Sequence, residues 1–565
     1  MSNSPPSDDV EARIETLLSE AVGLHSAGRI GLAEQIYQSI LKLQRHHPVA
    51  LHMLGVLSYQ RGNHDKGIRF IRRALTVRPD FPDAINSLAG IYLHAGDAEQ
   101  ALSLLTETLA LHEDFMAGLE TQVRAQIRLR DYEAAAATYQ RMDALKPGNQ
   151  AILKDWAATL LTLGRYGEAE AMFGRALELN ASDKDVRCYL AQAIKSHGRF
   201  AEALSILDDI LSEHPEYVPA LVHAGDAVQA LGQPSDAIEH FRKAIALQPD
   251  HAEAHFNLGV SLLTVGEYRE GWKEYAWRFR MSAYAAFKPP ADAPLWEGEP
   301  LAGRSILIFA EQGLGDTIQF ARYATLLKEQ GATVHCQCSQ SVAGLMATID
   351  GISEVYTLTQ VVPRVDFQIS MMELPRLFDT DDETVPCRDG YVRASQNTFR
   401  PQRRPAVGLV WQGNVEHKND AFRSAPLAGF DRLLSREDVA FYSLQYGQGV
   451  EQVAALGWQQ RLVDISPQLA GFTNTADVVS GLDLVITVDT SMAHLAGALG
   501  VPVWVLASTT ADWRWGRDTE TTCWYSSMRL FRQRRLGVWD DVFAGLEKAL
   551  ADWVAGRAIE AKPTV

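Results

Sequence analysis

The stretch Ile306 to Tyr323, ILIFAEQGLGDTIQFARY, passes from an apolar run into a turn carrying Gly313 and Gly315, then to Asp316 and an amphipathic segment. An aspartate at a helix start commonly caps the helix by accepting from its open amides. On a glycine turn that lets another molecule come close, the same carboxylate is placed to act as a general base. The two roles are compatible. A dinucleotide loop is excluded, because the third small residue of G-x-G-x-x-G is replaced by Ile318 and the second strand ends in Cys336, Gln337 and Cys338 instead of an acid. Asp316 would also repel a phosphate drawn to that helix start.

A second group lies in DLVITVDTSMAHLAGALGVPVWVL, which sets Asp489, Thr490 and Ser491 where a buried strand gives way to a helix. The amides of Ser491, Met492 and Ala493 would face outward beside two hydroxyls, a seat for an anion or a sugar. His494 follows in the first turn; a structural histidine is its plainer role, as a cap is that of Asp489. Upstream, GNVEHKNDAFRS supplies Lys418 and Arg423, cations able to neutralise a diphosphate, although loop cations are usually just solvated. TTADWRWGRD puts Trp513, Arg514 and Trp515 past the next strand, as a lid on the core or as a frame for a base or sugar ring.

These residues need strand ends to hold them. From about Arg304, short β-rich runs alternate with helical ones: SILIFA, ATVHCQC and EVYTL, and after a polar break at QNTFRPQRRP, AVGLVWQ, AFYSLQY, LDLVITV and VPVWVLA. That alternation predicts two Rossmann-like α/β domains, 304–400 and 401–565, with a cleft between the carboxyl ends of their strands. A long amphipathic helix is expected near 539–556. Before them, KPPADAPLWEGEPLAG loses helical periodicity, and 284–303 is assigned as a linker. The acidic run DTDDET (379–384) lies apart from the other motifs and is expected to be a solvated loop, with no metal site.

The first half repeats with a period of 34. Ala33, Gly67, Ala101, Ala135, Ala169, Ala203, Ala237 and Gly271 fall at one position, where the second helix of a hairpin crosses the first and a larger side chain would hold them apart. Pro79, Pro147, Pro215 and Pro249 share another, where the second helix stops. The pattern resembles the tetratricopeptide repeat over 14–283, about eight units, after a disordered tail at 1–13. The resemblance implies an α-solenoid whose groove docks a polypeptide. The groove-lining series Met53, Ser87, Thr121, Asp155, Tyr189, His223 and Asn257 forms no asparagine ladder, which favours a folded or partner-specific client.

Of 565 residues, 47% are hydrophobic and 22% charged, so several cores can form. A net charge of -17 disfavours nucleic acid and anionic lipid as partners. No apolar run suggests a membrane span or leader, and five cysteines without a C-x-x-C pair suggest a reducing compartment; a cytoplasmic location is expected.

Together, G-L-G-D-x-I-Q-F-A-R-Y, G-L-V-W-Q-G-N with H-K-N-D and R-S, V-D-T-S-M-A-H-L-A-G-A-L-G, and D-W-R-W resemble the heptosyltransferase-like family of inverting glycosyltransferases. The whole chain is similar to bacterial proteins that join tetratricopeptide repeats to such a domain, a class that includes flagellin glycosyltransferases. The resemblance implies a GT-B fold, a nucleotide-sugar donor held mainly by the C-terminal domain, and no metal or cofactor. It makes Asp316 the catalytic base, in a loop with Gln312, Gly313, Gly315 and Gln319 on the acceptor side. Donor contacts would come from Gln412, Asn414, Lys418, Arg423, Gln445, Asp489, Thr490, Ser491, His494 and Trp513. The acceptor would be a protein docked by the repeats, with flagellin a candidate. A saccharide or lipid-linked acceptor, or an inactive scaffold, are the alternatives; Asp316, Lys418, Asp489 and His494, all present, argue against the last.

Overall fold

The computed structural model describes residues 8–560 except 285–286, 397–398, 403–404, 416–419 and 518. The chain packs as two compact units, Met1–Ile206 and Leu207–Val565.

The first unit is built of antiparallel helix pairs, beginning with Asp8–Ser26 and Ile30–Leu43, then Pro48–Gln60 and His64–Val77, and continuing to Lys184–Ser196. Where the helices cross, Ala33, Ala101, Ala135 and Ala169 are fully buried. A Cβ on Gly67 would stand 2.8 Å from the Gly55 carbonyl oxygen, so only a small residue fits. The tight turns between helices use a left-handed residue: Gly28, Gly62, Gly96, Gly164 and Gly198 take φ from 72° to 92°, and Arg130 fills the equivalent place at φ 60°. The helical part begins earlier than the repeat period suggests. Residues 8–13 of the expected disordered tail belong to the first helix, because Val10 packs onto the cluster of Ile14, Ala21 and Tyr37; residues 1–7 lie outside the described residues.

The second unit starts with further helix pairs, Val218–Ala230 with Pro234–Leu247 and Ala252–Thr264 with Tyr268–Tyr275, and then turns to parallel sheet. The strands β1 (Ser305–Phe309), β2 (Thr333–Cys338), β3 (Ile352–Thr357) and β4 (Phe367–Ser370) form a four-stranded sheet in the order β3-β2-β1-β4. A six-stranded sheet follows with β5 (Ala406–Val410), β6 (Ala440–Ser443), β7 (Val463–Asp464), β8 (Leu484–Val488), β9 (Val503–Ala507) and β10 (Met528–Arg532), in the order β10-β9-β8-β5-β6-β7. All pairings are parallel, with Ile306 opposite Val334 and Phe367, and Val407 opposite Leu484. β5, β8 and β9 are buried along their whole length, as strands covered on both faces must be. The last helix runs Asp540–Glu560.

Each sheet reverses its strand order once, between β1 and β4 and between β5 and β8. Loops leaving β1, β5 and β8 therefore open onto the crevices where doubly wound sheets bind ligands.

The expected linker is pinned in its second half. Gln368 of β4 donates its amide to Pro294 O (3.0 Å) and accepts at its carbonyl from Trp296 N (2.9 Å), and its side chain bonds Ala291 and Ala293. β4 is an edge strand whose backbone groups would otherwise face no partner strand.

Candidate active site

Asp316 stands in the first turn of the helix Leu314–Phe320, directly beyond β1. One carboxylate oxygen accepts from Gly313 N (2.9 Å), closing a capping arrangement. The other accepts from Nη2 of Arg514, which comes from the loop beyond β9. Burial raises the Asp316 pKa above the usual aspartate range, opposed by Arg514 and assisted by Asp512. The side chain nevertheless keeps 20% of its surface open, so it is enclosed without being sealed.

Arg514 is buried and fully engaged: Nε donates to Gln319 Oε1 (2.6 Å), Nη1 to Asp512 Oδ1 (2.8 Å) and Nη2 to Asp316. Its guanidinium also lies 4.3 Å from the Trp513 ring centre. Burial works against its charge, but Asp512 and Asp316 hold it protonated.

Beyond β8, Thr490 caps the helix Ser491–Ala498 with its hydroxyl, accepting from Met492 N (3.3 Å), while Ala493 N bonds Thr490 O (3.0 Å). Two of the three amides expected to face outward are thus met within the chain. Burial, with Asp512 nearby, pushes the Asp489 pKa up to about 6, against Trp515, Arg423 and Arg514. The Trp515 indole N–H influences Asp489 without reaching ordinary hydrogen-bond geometry. Arg423 reaches this region from the loop after β5; its Nε is buried without a hydrogen bond, and Asp420 Oδ1 lies 3.6 Å away.

At His494 the helix Ser491–Ala498 packs against the helix Leu314–Phe320. The His494 ring stacks on Trp515 (centres 5.2 Å apart) and Nδ1 bonds the Tyr525 hydroxyl (3.0 Å). Its carbon edge lies against Gly315, where a Cβ would stand 2.7 Å from Cδ2. Burial, then Arg514 and Arg322, lower its pKa far enough to keep the imidazole neutral at pH 7.

Comparison with known proteins bears on this arrangement directly. Residues 432–526, which carry Asp489 to Trp515, match glycosyltransferase family 9 (heptosyltransferase). Tetratricopeptide-repeat families match 52–114, 86–150, 126–194, 160–224 and 225–266. The chain joins tetratricopeptide repeats to a C-terminal family 9 glycosyltransferase domain. Protein FlbA of Caulobacter vibrioides is 26% identical over 340 residues, covering 53% of this chain and 55% of that protein. The chain thus spans about half the length of the curated relative it matches. Among solved structures, the C-terminal part of a TPR repeat-containing protein from Cytophaga hutchinsonii is 12% identical, covering 43% of this chain and 99% of that one, with TM-score 0.37. A thermophilic TPR protein of Thermus thermophilus is 24% identical, covering 32% and 100%, with TM-score 0.24.

Within the family 9 domain and the sheet before it, several expected contacts take other roles. Trp513 does not present a face to a donor: it is 4% exposed and packs edge-on against Trp272 (5.2 Å) of the last repeat and Trp524 (5.9 Å). Gln445 is buried and saturated, accepting from Trp411 N and Gln412 N and donating to Gln412 O and Gln448 O, so it braces β5 against β6. Gln319 is buried beneath Arg514 and cannot touch an acceptor. Gln312 is held from its side chain by Tyr284 OH (2.9 Å). Gln412 accepts from Gln452 Nε2 (2.7 Å), Asn414 is exposed, and Ser491 is half-buried at its helix start. Lys418 lies outside the described residues. In the acidic run, Asp381 Oδ1 caps its own turn through Glu383 N and Thr384 N, a solvated loop.

The residues overlooked in the sequence as site members are Arg514 and Asp512. The signal was present in D-W-R-W: an arginine between two tryptophans has to find buried acceptors.

Proposed function

We propose that the protein is an inverting glycosyltransferase of GT-B architecture. It moves a sugar from a nucleotide-sugar donor to a hydroxyl of a protein client docked by the repeats, with flagellin a candidate. The observation that carries this reading is the contact of Gly315 with His494, which sets the Asp316 loop of one sheet against the Asp489–Ser491 helix start of the other. A carboxylate and a helix start are then brought side by side, as a displacement at a sugar carbon requires.

In the proposed step, the acceptor oxygen forms its bond to the anomeric carbon as the bond from that carbon to the diphosphate oxygen breaks on the opposite face. The electron pair leaves with the diphosphate, and the acceptor proton passes to Asp316. Arg423, Lys418 and the start of the helix Ser491–Ala498 carry the leaving charge. No metal or cofactor is called for. The raised pKa of Asp316 suits a base that must take a proton. Among the described residues no helix is long and apolar enough to cross a membrane, and all five cysteines are free, which fits our placing the protein in the cytoplasm.

Thermal stabilisation by a panel of UDP-, GDP-, ADP- and CMP-activated sugars identifies the donor. Asp316→Asn is then expected to slow transfer by about 10² to 10⁴ with donor affinity unchanged. Transfer within a few-fold of wild type would return Asp316 to a capping role alone.

A further inference from the structure

Among the described residues of the second unit, three arginines are buried: Arg278, Arg322 and Arg514. Arg322 bonds Gln319 O, Trp524 O and the Tyr391 hydroxyl, which are all structural, and Arg278 is sunk between Glu311 and Glu373 behind the loop. Arg514 differs, because one of its bonds ends on the proposed base.

We infer that Arg514 is a positioning residue for the reaction, fixing which oxygen of Asp316 faces the acceptor. This rests on the reading of Asp316 as base. Each nitrogen of the guanidinium has a different partner: Gln319 takes Nε, Asp512 takes Nη1 and Asp316 takes Nη2. Gln319 sits one turn beyond Asp316 on the same helix, so Arg514 grips that helix at two points. Asp512 caps the turn bearing Arg514, accepting from its amide (3.0 Å), and so fixes the root of the side chain. With the Gly313 amide on the second oxygen, Asp316 is held at both ends of its carboxylate. A base so held is aimed before the acceptor arrives.

The charges around Asp316 set opposite expectations for two substitutions. Arg514 favours the carboxylate; Asp512 on the same turn and Glu311 in the preceding loop disfavour it. Tyr275 and Tyr284 face it as neutral phenols from the segment before the sheet, and neutral His494 lies against Gly315 on the adjoining helix. Asp489 and Arg423 act on the neighbourhood of Asp512 and Arg514 from beyond β8 and β5.

The test uses the full chain and whichever activated sugar stabilises it most, following transfer, or donor hydrolysis with water as acceptor, against pH. Arg514→Gln is expected to lower turnover about 10²-fold with donor affinity kept, and to move the acidic limb of the profile upward by about one pH unit or more. Arg514→Lys, which keeps the charge without the fork, should recover part of that shift. Asp512→Asn keeps an acceptor for Arg514 and removes a negative charge, so its limb should move downward. A purely structural role would not produce shifts of opposite sign. Difference-infrared titration of wild type minus Asp316→Asn reads the same carboxylate without needing turnover. Should Arg514→Gln not fold, Asp512→Asn and the infrared titration decide. If neither variant moves the titration, or both move it the same way, Arg514 has no positioning role. If Asp316→Asn itself remains active, the base reading fails instead.

Discussion

Gly315 and His494 lie so close that a Cβ on the glycine would be 2.7 Å from the imidazole Cδ2 and 3.3 Å from Nε2. Glycine is required here by closeness of approach. The helix behind Asp316 and the helix behind Asp489 can touch only because one of them has no side chain at the crossing.

Gly315→Ala is therefore expected to destabilise the second unit by about 1 to 3 kcal/mol, the usual penalty for overpacking a fitted contact. His494→Ala will destabilise by itself, since it opens a cavity and removes a hydrogen bond to the Tyr525 hydroxyl. The double variant should be more stable than the sum of the two losses predicts, and urea unfolding of all four proteins measures that coupling. Additive losses would mean that the rings and helices re-pack without contact at this point.

A second expectation concerns pH. Asp489 has its pKa raised to about 6, first by burial and then by Asp512. Between about pH 4, where an unfolded aspartate titrates, and about pH 6, the folded chain holds more proton at this site than the unfolded one. Its contribution to stability is thus fully present at low pH and is lost as pH rises through that window. Asp489→Asn removes the ionisation. Its unfolding free energy should match wild type near pH 4 and exceed it at pH 7 by roughly 1 to 2 kcal/mol, after allowing for the hydrated part of the carboxylate. A difference that stays constant from pH 4 to 7 would show that Asp489 titrates normally.

What could be read from the sequence follows from where the determining contacts lie. The 34-residue period was legible because each helix pair packs on neighbours near in sequence, so the requirement for a small residue at the crossing recurs with every unit. β1, β5, β8 and β9 were legible as apolar runs, and with them the place of Asp316 and Asp489 at strand ends. β4, β7 and β10 were not: β4 and β7 are short, and β10 mixes charged and apolar residues as MRLFR. Side-chain roles that depend on distant partners were hidden as well. Arg514 meets Asp316 across 198 residues of chain, and nothing local distinguishes an arginine that bonds a carboxylate from one that lies over tryptophan. Gln445 looked free for a ligand because its four acceptors and donors are backbone groups, which leave no trace in residue type.

The change from helical to β periodicity near 284–303 suggests cutting the chain there, and the packing of the second unit argues against it. Arg278, just after the last repeat helix, has no exposed surface and bonds both Glu311 (Nε to Oε1, 2.5 Å) and Glu373 (Nη1 to Oε1, 2.7 Å). Glu311 lies two residues before Gly313, so this arginine supports the loop that carries Asp316. Trp272 adds its indole N–H to Thr380 O (2.8 Å) and its ring to Trp513 and Trp524. A piece beginning at residue 290 would leave Glu311 without the arginine it bonds, while Glu373 keeps Arg376, and removing one partner of a buried ion pair typically costs about 3 to 5 kcal/mol. It would also expose the ring faces that Trp272 covers. A piece beginning at residue 207 retains all of these contacts. We expect 207–565 to be soluble, to unfold cooperatively and to bind the donor as the full chain does, while 290–565 aggregates or binds it far more weakly. Arg278→Met in the full chain separates the ion pair from the rest: it should lower the melting temperature by several degrees while leaving the aromatic contacts in place. Cooperative unfolding and full donor affinity in 290–565 would show that the last repeat only adjoins the transferase sheets and does not help to hold the Asp316 loop.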